Sequence, residues 1–427
     1  MKIVITFLVF SSCSFAINAQ DLGYAKKLVN ILAAPDMFGR GYVSNGDKIA
    51  ADFIKNEFVK LDLLSFNEDY FQSFSLEVNT FPTKLSFSAN DKMLIPGKDF
   101  LVLPFSGTDT GTYKTIYFDT KIWNNKRKLE RFKKSNLSDK YIILDDSNAA
   151  SEIEKEVFKS ALTNPFKAKG IIKLTDNKLT WSVSQTEAEY VAFEVLRTEF
   201  PSKTKKIDVH VENKYYTDYS SQNVIGYIKG NSKPDSFIVF TAHYDHLGHM
   251  GKNTYFPGAN DNASGIAVIT DLASHYSRNP SAYSIVFIAF SAEEAGLIGS
   301  RYYTQNPLFP LSNIRFLINL DLLGNGEQGI TVVNGSEYKE EFLLLNKIND
   351  RNNYLTKINE RGKAANSDHY YFSEKGVRCF FIYTLGENKA YHDINDKAEN
   401  VKFPAYDEIF RLLTDFTGSL TSSPEHK

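Results

Sequence analysis

The chain has 427 residues, 42% hydrophobic and 14% aromatic, which is long enough for two domains and too apolar for a disordered polypeptide. Its formal net charge is −2, from 49 Lys and Arg against 51 Asp and Glu. That balance excludes the polybasic footprint of a nucleic-acid or anionic-membrane binder.

The first residues read as a targeting segment. Lys2 precedes the apolar run Ile3 to Phe10, too short to span a bilayer, and Ile17-Asn18-Ala19 resembles a small-residue cleavage signal. Residues 1–20 are expected to be a signal peptide, and the mature protein periplasmic or secreted. Cys13 raises a lipoprotein reading, against which Phe10 stands where the lipidation motif takes an aliphatic residue. Once the signal is removed Cys379 is the sole cysteine, so no disulfide within the chain is expected. Cys379 sits in the apolar run Val377 to Tyr383 and reads as a buried thiol. No later stretch is long and apolar enough for a membrane span.

Residues 21–72 read as helical. Leu28, Ile31 and Leu32 recur at helical spacing, then a break runs from Pro35 to Gly41, and a second helix fits Gly46 to Leu61. Arg40, between two glycines, reads equally as a residue lining a site or as part of a surface loop. Residues 73–212 change texture. Short alternating runs (Thr83 to Ser88, Lys114 to Phe118, Lys140 to Leu144, Gly170 to Leu174, Lys206 to Val211) are separated by Gly, Asn, Asp and Pro. This predicts an inserted, β-rich domain with one helix near Ser151 to Thr163. It carries no candidate ligand, since His210 on an alternating strand reads as structural. The segment is expected to wall the cleft of the neighbouring unit.

From residue 213 to 427 strands and helices alternate. The strands are Val224 to Ile228, Phe237 to Thr241, Tyr283 to Phe290, Ile314 to Leu320, Gly329 to Val333 and Val377 to Tyr383. The intervening helices and a closing one at Phe403 to Leu420 predict an α/β sheet covered by helices on both faces. Polar residues cluster at the strand ends: His243 and Asp245, then Glu293 and Glu294, then Asp321. Asp261 lies in a loop that runs into a helix, and His392 in the loop after the last strand. Strand ends of one sheet converge, so these residues are expected to meet.

Two imidazoles with several carboxylates and no thiolate suit Zn, Mn or Co. Five candidate ligands exceed what one catalytic zinc takes and suit two metals sharing a carboxylate. Asp245, two residues beyond His243 on an extended segment, faces the same way and suits the other N–H of that imidazole. Of the adjacent Glu293 and Glu294, one can bind metal while the other faces the substrate as general base.

The runs TAHYDHLG (241–248), GANDNASG (258–265), FSAEEAGLIGS (290–300), NLDLLG (319–324), SDHYYFSEKG (367–376) and YHDINDKAEN (391–400) resemble the co-catalytic zinc aminopeptidases of peptidase family M28. The resemblance extends to residues 37–54. The inserted segment resembles, more loosely, the protease-associated domain of many members. It implies a zinc exopeptidase-type mixed sheet and a two-zinc metallopeptidase that takes N-terminal residues from peptide substrates. It implies His243 and Asp321 on one zinc, Glu294 and His392 on the other, and Asp261 bridging. Glu293 would be the general base and Asp245 the partner of His243. Leu322-Leu323 and Asp393 depart from the usual pattern. His369 is expected to shape the substrate pocket, His246 and His249 to sit at its rim or behind the ligands, and Asp396 to fix its loop.

Other activities share these motifs. Glutaminyl-peptide cyclotransferases carry Asp-Gly before the glutamate pair, where this chain has Ser291-Ala292. Exopeptidases with a dimerising lid carry it after that pair, where Asp321 follows Glu294 too closely to leave room. Carboxypeptidases and dipeptidases of the same fold share the metal site, and a non-catalytic binding relative would be expected to have lost ligands.

Overall fold

The computed structural model describes residues 20–422. The expected signal peptide, with Cys13, falls outside the described residues except for Gln20. Two eight-stranded sheets organise the described chain. In the first, the strands run in the order Phe71–Thr80, Lys214–Ile228, Tyr283–Phe290, Lys233–His243, Ile314–Asp321, Cys379–Thr384, Ile330–Val333, Ile358–Arg361. The four strands Tyr283–Phe290, Lys233–His243, Ile314–Asp321 and Cys379–Thr384 are mutually parallel. Every residue of Tyr283–Phe290 is buried, as in a parallel strand covered on both faces.

Side-chain alternation along these strands divides the core in two. Ile238, Phe240, Ala242, Ile285, Phe287, Phe316 and Ile318 face the helices Leu22–Leu32, Gly46–Lys60, Ser264–Arg278, Lys339–Asn352 and Tyr406–Ser422. Val239, Val286, Ile288, Phe290 and Leu317 face Ile298–Gln305 and His369–Glu374. The first helix starts where Asp21 accepts the Tyr24 N–H at 2.9 Å. Its stripe Ala25, Leu28, Val29 and Leu32 is buried, each leucine contributing about 1.5–3 kcal/mol. Cys379 is buried, which pushes its thiol up to about 12. Among the described residues no helix is long and apolar enough to cross a membrane.

The inserted segment differs from expectation in two ways. Strand Phe71–Thr80 pairs antiparallel with Lys214–Ile228, from Phe71 opposite Val224 to Thr80 opposite Lys214. A division at residue 73 therefore falls inside a strand of the first sheet. The second sheet is built from strands between Ser86 and Val211. It is also not simply β-rich. Asp109–Asp119, Lys140–Asp145, Gly170–Thr175 and Val191–Leu196 form a parallel run. Lys126–Lys133 and Glu152–Ala161 lie over one face, through Phe132 and Phe158. The other face packs Phe87, Phe100 and Phe193 in one cluster with Leu247, Met250 and Phe256 of the main domain. The two units thus share a core.

Candidate metal centre

The parallel strands stop at one edge, and the polar residues collect there. His243 and Asp321 are the last residues of their strands. Glu293 and Glu294 follow Tyr283–Phe290 on a turn, Asp261 precedes helix Ser264–Arg278, and His392 lies in the loop after Cys379–Thr384. Nε2 of His243 is 3.4 Å from Oδ1 of Asp261 and 3.5 Å from Oδ2 of Asp321. Nε2 of His392 is 3.1 Å from Oδ2 of Asp261 and 3.2 Å from Oε2 of Glu294. Asp261 therefore offers one oxygen to each imidazole.

Those separations fit ligands of a shared cation. Donors about 2.0–2.1 Å from a tetrahedral zinc lie about 3.3 Å from one another. Charge-assisted hydrogen bonds would be nearer ~2.8 Å. Nδ1 of His392 is 2.9 Å from the main-chain oxygen of Trp181. A carbonyl only accepts, so Nδ1 carries the proton, and in the neutral ring the Nε2 lone pair then faces two carboxylates. Asp321 Oδ1 is buried without a hydrogen-bond partner. A cation between these atoms resolves each of those conflicts.

Charge points the same way. Burial alone would lower His392, but Glu294 and Asp261 bring it up to about 11. Burial likewise opposes protonation of His243, yet Glu293, Asp321 and Asp261 hold it well above its usual value. Burial, reinforced by Glu294, Asp368 and Asp321, drives Glu293 well above the carboxylate range despite the pull of His243. Asp368 is pushed by burial to about 7. More carboxylates than imidazoles are buried together, a combination that is costly without added positive charge.

Asp245 is at the site, but its contact is not the expected one. Nδ1 of His243 is 3.1 Å from the main-chain oxygen of Asp245 and 3.8 Å from its carboxylate. The carboxylate instead accepts the N–H groups of Glu293 and Glu294, at 3.1 and 3.2 Å, and the Tyr42 hydroxyl at 2.7 Å. The reason is local. Ala292 turns the chain with φ of 60°, leaving the two following amides without partners in the strand. Asp245 caps them as an N-cap residue caps a helix. Burial raises it to about 6.

Other expectations shift too. His369 does not shape the cleft. It is fully buried, its ring stacked on Phe381 at 5.1 Å, and burial lowers it to about 3. Phe381 takes the wall position in front of it. Of its two expected places His246 takes the one behind the ligands, buried with Nδ1 2.8 Å from Oε1 of Glu294. His249 turns away, to Ser44 and the Gly251 carbonyl. Asp396 fixes its loop by accepting the N–H groups of Asn260 and Asp261 at 2.8 and 2.9 Å. Arg40 lines nothing. It is fully buried and donates to the carbonyls of Leu32, Tyr244, Pro257, Gly258 and Asp261, which its planar fork can span.

The cleft over these residues encloses ≈ 170 Å³. His243, Asp261, Glu293, Asp321 and His392 line it together with Leu322, Asn366, Phe381, Tyr383 and Tyr391. No residue of the inserted segment lines it directly; that segment bonds instead to the loop that carries Tyr391 and His392. Tyr42 and Trp181 were not legible as functional residues; Tyr42 lies within the resembling residues 37–54 but is assigned no role by them, Trp181 belongs to no motif, and each acts across more than a hundred residues of chain.

Residues 223–417 match the model of peptidase family M28. These residues form a peptidase family M28 domain. Aminopeptidase YwaD of Bacillus subtilis (strain 168) is 30% identical over 232 residues, covering 49% of this chain and 47% of that protein. A probable zinc metalloprotease of Pyricularia oryzae is 36% identical over 105 residues, 24% of this chain and 21% of that protein. The matched stretches thus span about half or less of those relatives. Beyond the M28 domain, the whole described architecture recurs in solved structures. The zinc aminopeptidase BSAP from Bacillus subtilis aligns with a TM-score of 0.69 at 20% identity, over 93% of this chain and 94% of that one. An aminopeptidase from Aneurinibacillus sp. strain AM-1 aligns with a TM-score of 0.64 at 20% identity, over 96% and 97%.

Proposed function

We propose that this protein is an exported, periplasmic or secreted, zinc-dependent exopeptidase that removes N-terminal residues from peptides. The observation that carries the reading is Asp261, with one carboxylate oxygen turned to each of two imidazole-carboxylate clusters. His243, Asp261 and Asp321 would hold one ion, and Asp261, Glu294 and His392 a second. Nitrogen and oxygen donors without thiolate suit zinc, and relatives of the M28 domain bear zinc in their names. Bound there, such ions supply Lewis acidity that polarises a carbonyl and acidifies water.

The chain's own residues supply the rest. Glu293 lines the cleft on the same turn as Glu294, its amide held by Asp245. It takes the proton of the water that attacks the scissile carbonyl carbon. As the C–N bond breaks it delivers that proton to the leaving amine. Its raised proton affinity suits a group that must hold a proton between the two steps. Phe381, Tyr383 and Tyr391 close the sides, so a small aromatic-walled cleft receives the end of a peptide rather than its middle.

Glu293→Gln tests the assignment. It should keep its zinc and its fold, and lose about 10²- to 10⁴-fold in hydrolysis of amino-acid p-nitroanilides. Full activity in that variant would remove Glu293 as the base. A wild-type chain that takes up no zinc, and is indifferent to chelator, would remove the metallopeptidase reading altogether.

A further inference from the structure

We propose that the inserted domain positions His392 through its loop residues Lys178 and Trp181, so that the ion site formed by Asp261, Glu294 and His392 depends on that domain and the other site does not. The inference rests on the reading of His392 as an ion ligand.

His392 is the one candidate ligand whose own backbone does little to place it. His243 and Asp321 end strands, and Asp261 and Glu294 are tied down by Asp396 and Asp245. His392 lies in residues 385–397, which form no helix or strand. Its φ is 52°, a left-handed conformation that a non-glycine residue disfavours and that its surroundings must impose.

The inserted domain imposes it. The Trp181 N–H donates to the His392 carbonyl at 2.9 Å, and the Trp181 carbonyl accepts from Nδ1 of the imidazole at 2.9 Å. One residue thus fixes both the backbone and the ring of His392. Trp181 is itself locked. It is 5% exposed, its indole N–H donates to the Val102 carbonyl at 2.7 Å, and its ring stacks on Phe256 at 4.7 Å. Three residues earlier, the Lys178 ammonium donates to the carbonyls of Lys389 and Tyr391, at 2.7 and 3.2 Å, and pairs with the Asp393 carboxylate. Ile394 then packs against the inserted domain's core. The loop is held on both sides of His392 from the same domain.

Groups that orient a metal-bound imidazole through its other nitrogen typically carry about 10- to 100-fold in metal affinity. Here that group is a main-chain carbonyl, so its placement depends on the side chains that anchor it. Lys178 has a half-exposed side chain and no part in a core, which makes Lys178→Met tolerable to the fold. Trp181→Ala removes the stacking and the indole anchor.

The experiment titrates zinc into the metal-free full chain against a chromophoric chelator, for wild type, Lys178→Met, Lys178→Arg and Trp181→Ala. Wild type should bind two ions. Lys178→Met and Trp181→Ala should bind the first with unchanged affinity and the second about 10- to 100-fold more weakly. Lys178→Arg should recover most of the loss. Phe118→Leu, which loosens the same domain on its opposite face, at the Phe132 and Phe158 packing, should bind both ions as wild type does. Two ions bound at wild-type affinity by Lys178→Met would overturn the inference. So would equal weakening of both ions, or a matching loss in Phe118→Leu. A wild-type chain that binds no zinc would instead overturn the functional reading, and this inference with it.

Discussion

Replacing Asp245 by Asn tests the geometry of the glutamate turn. The carboxylate has two oxygens and serves three donors: Oδ1 accepts from the Glu293 N–H, while Oδ2 accepts from Tyr42 and the Glu294 N–H. An asparagine keeps one acceptor. If its oxygen stays with Tyr42 and Glu294, its NH₂ faces the Glu293 N–H, and a buried amide loses its partner. That costs about 1–3 kcal/mol. The same amide positions the proposed base, so hydrolysis should fall by about 10- to 100-fold. Glu293 acts on the reacting water, so the fall should appear in kcat more than in KM. Urea unfolding of the metal-free protein and steady-state hydrolysis of a p-nitroanilide measure the two effects. A variant with wild-type kcat and stability within about 0.5 kcal/mol would refute the role given to this carboxylate.

Arg40→Lys should destabilise strongly. Three ammonium donors replace a fork that reaches five carbonyls, so at least two buried carbonyls lose their partner. The expected cost is about 2–6 kcal/mol in urea unfolding, and a loss under about 1 kcal/mol would contradict it. Asp47 should make stability depend on pH. Burial raises its carboxyl from 3.8 to about 6, against the hydroxyls of Tyr219 and Ser221 that donate to it. The folded chain then holds a proton that the unfolded chain has released. Its contribution to stability therefore falls as pH rises through that window and stays lost above it, by about 3 kcal/mol. Asp47→Asn should gain on the wild type between pH 4 and pH 7, and parallel stability curves for the two would count against the assignment.

The residues that gather at the candidate site were legible because each interrupts or closes an apolar run. A parallel sheet places such endings together whatever the sequence distance between them. What lay behind them was not. Asp245 was paired with the wrong partner because strand periodicity says which way a side chain points, not which amides are left open by a turn at Ala292. His369 and Phe381 lie close together, and only the packing shows which of the two meets the cleft. Arg40 and Trp181 work on main-chain carbonyls, which carry no sequence signature. The change of texture at residue 73 marks where alternating segments begin, and Phe71–Thr80, cut by that boundary, alternates like the strands that follow it. Alternation predicts a strand with one covered face, but not the sheet in which it pairs.

The pairing of Thr80 with Lys214 carries an evolutionary consequence. Residues 81–213 leave and re-enter the first sheet between two positions already facing each other across an antiparallel ribbon. Such an excursion is a cassette: closing the ribbon with a tight turn would excise it and leave the register of the remaining strands untouched. Lineages can therefore gain or shed the whole module in a single genetic event without re-threading the sheet. Its removal would nevertheless expose Leu247, Met250 and Phe256, which now share its core. A descendant that lost the cassette is expected to show polar replacements at those three positions, the scar by which a past deletion could be read in a shorter relative.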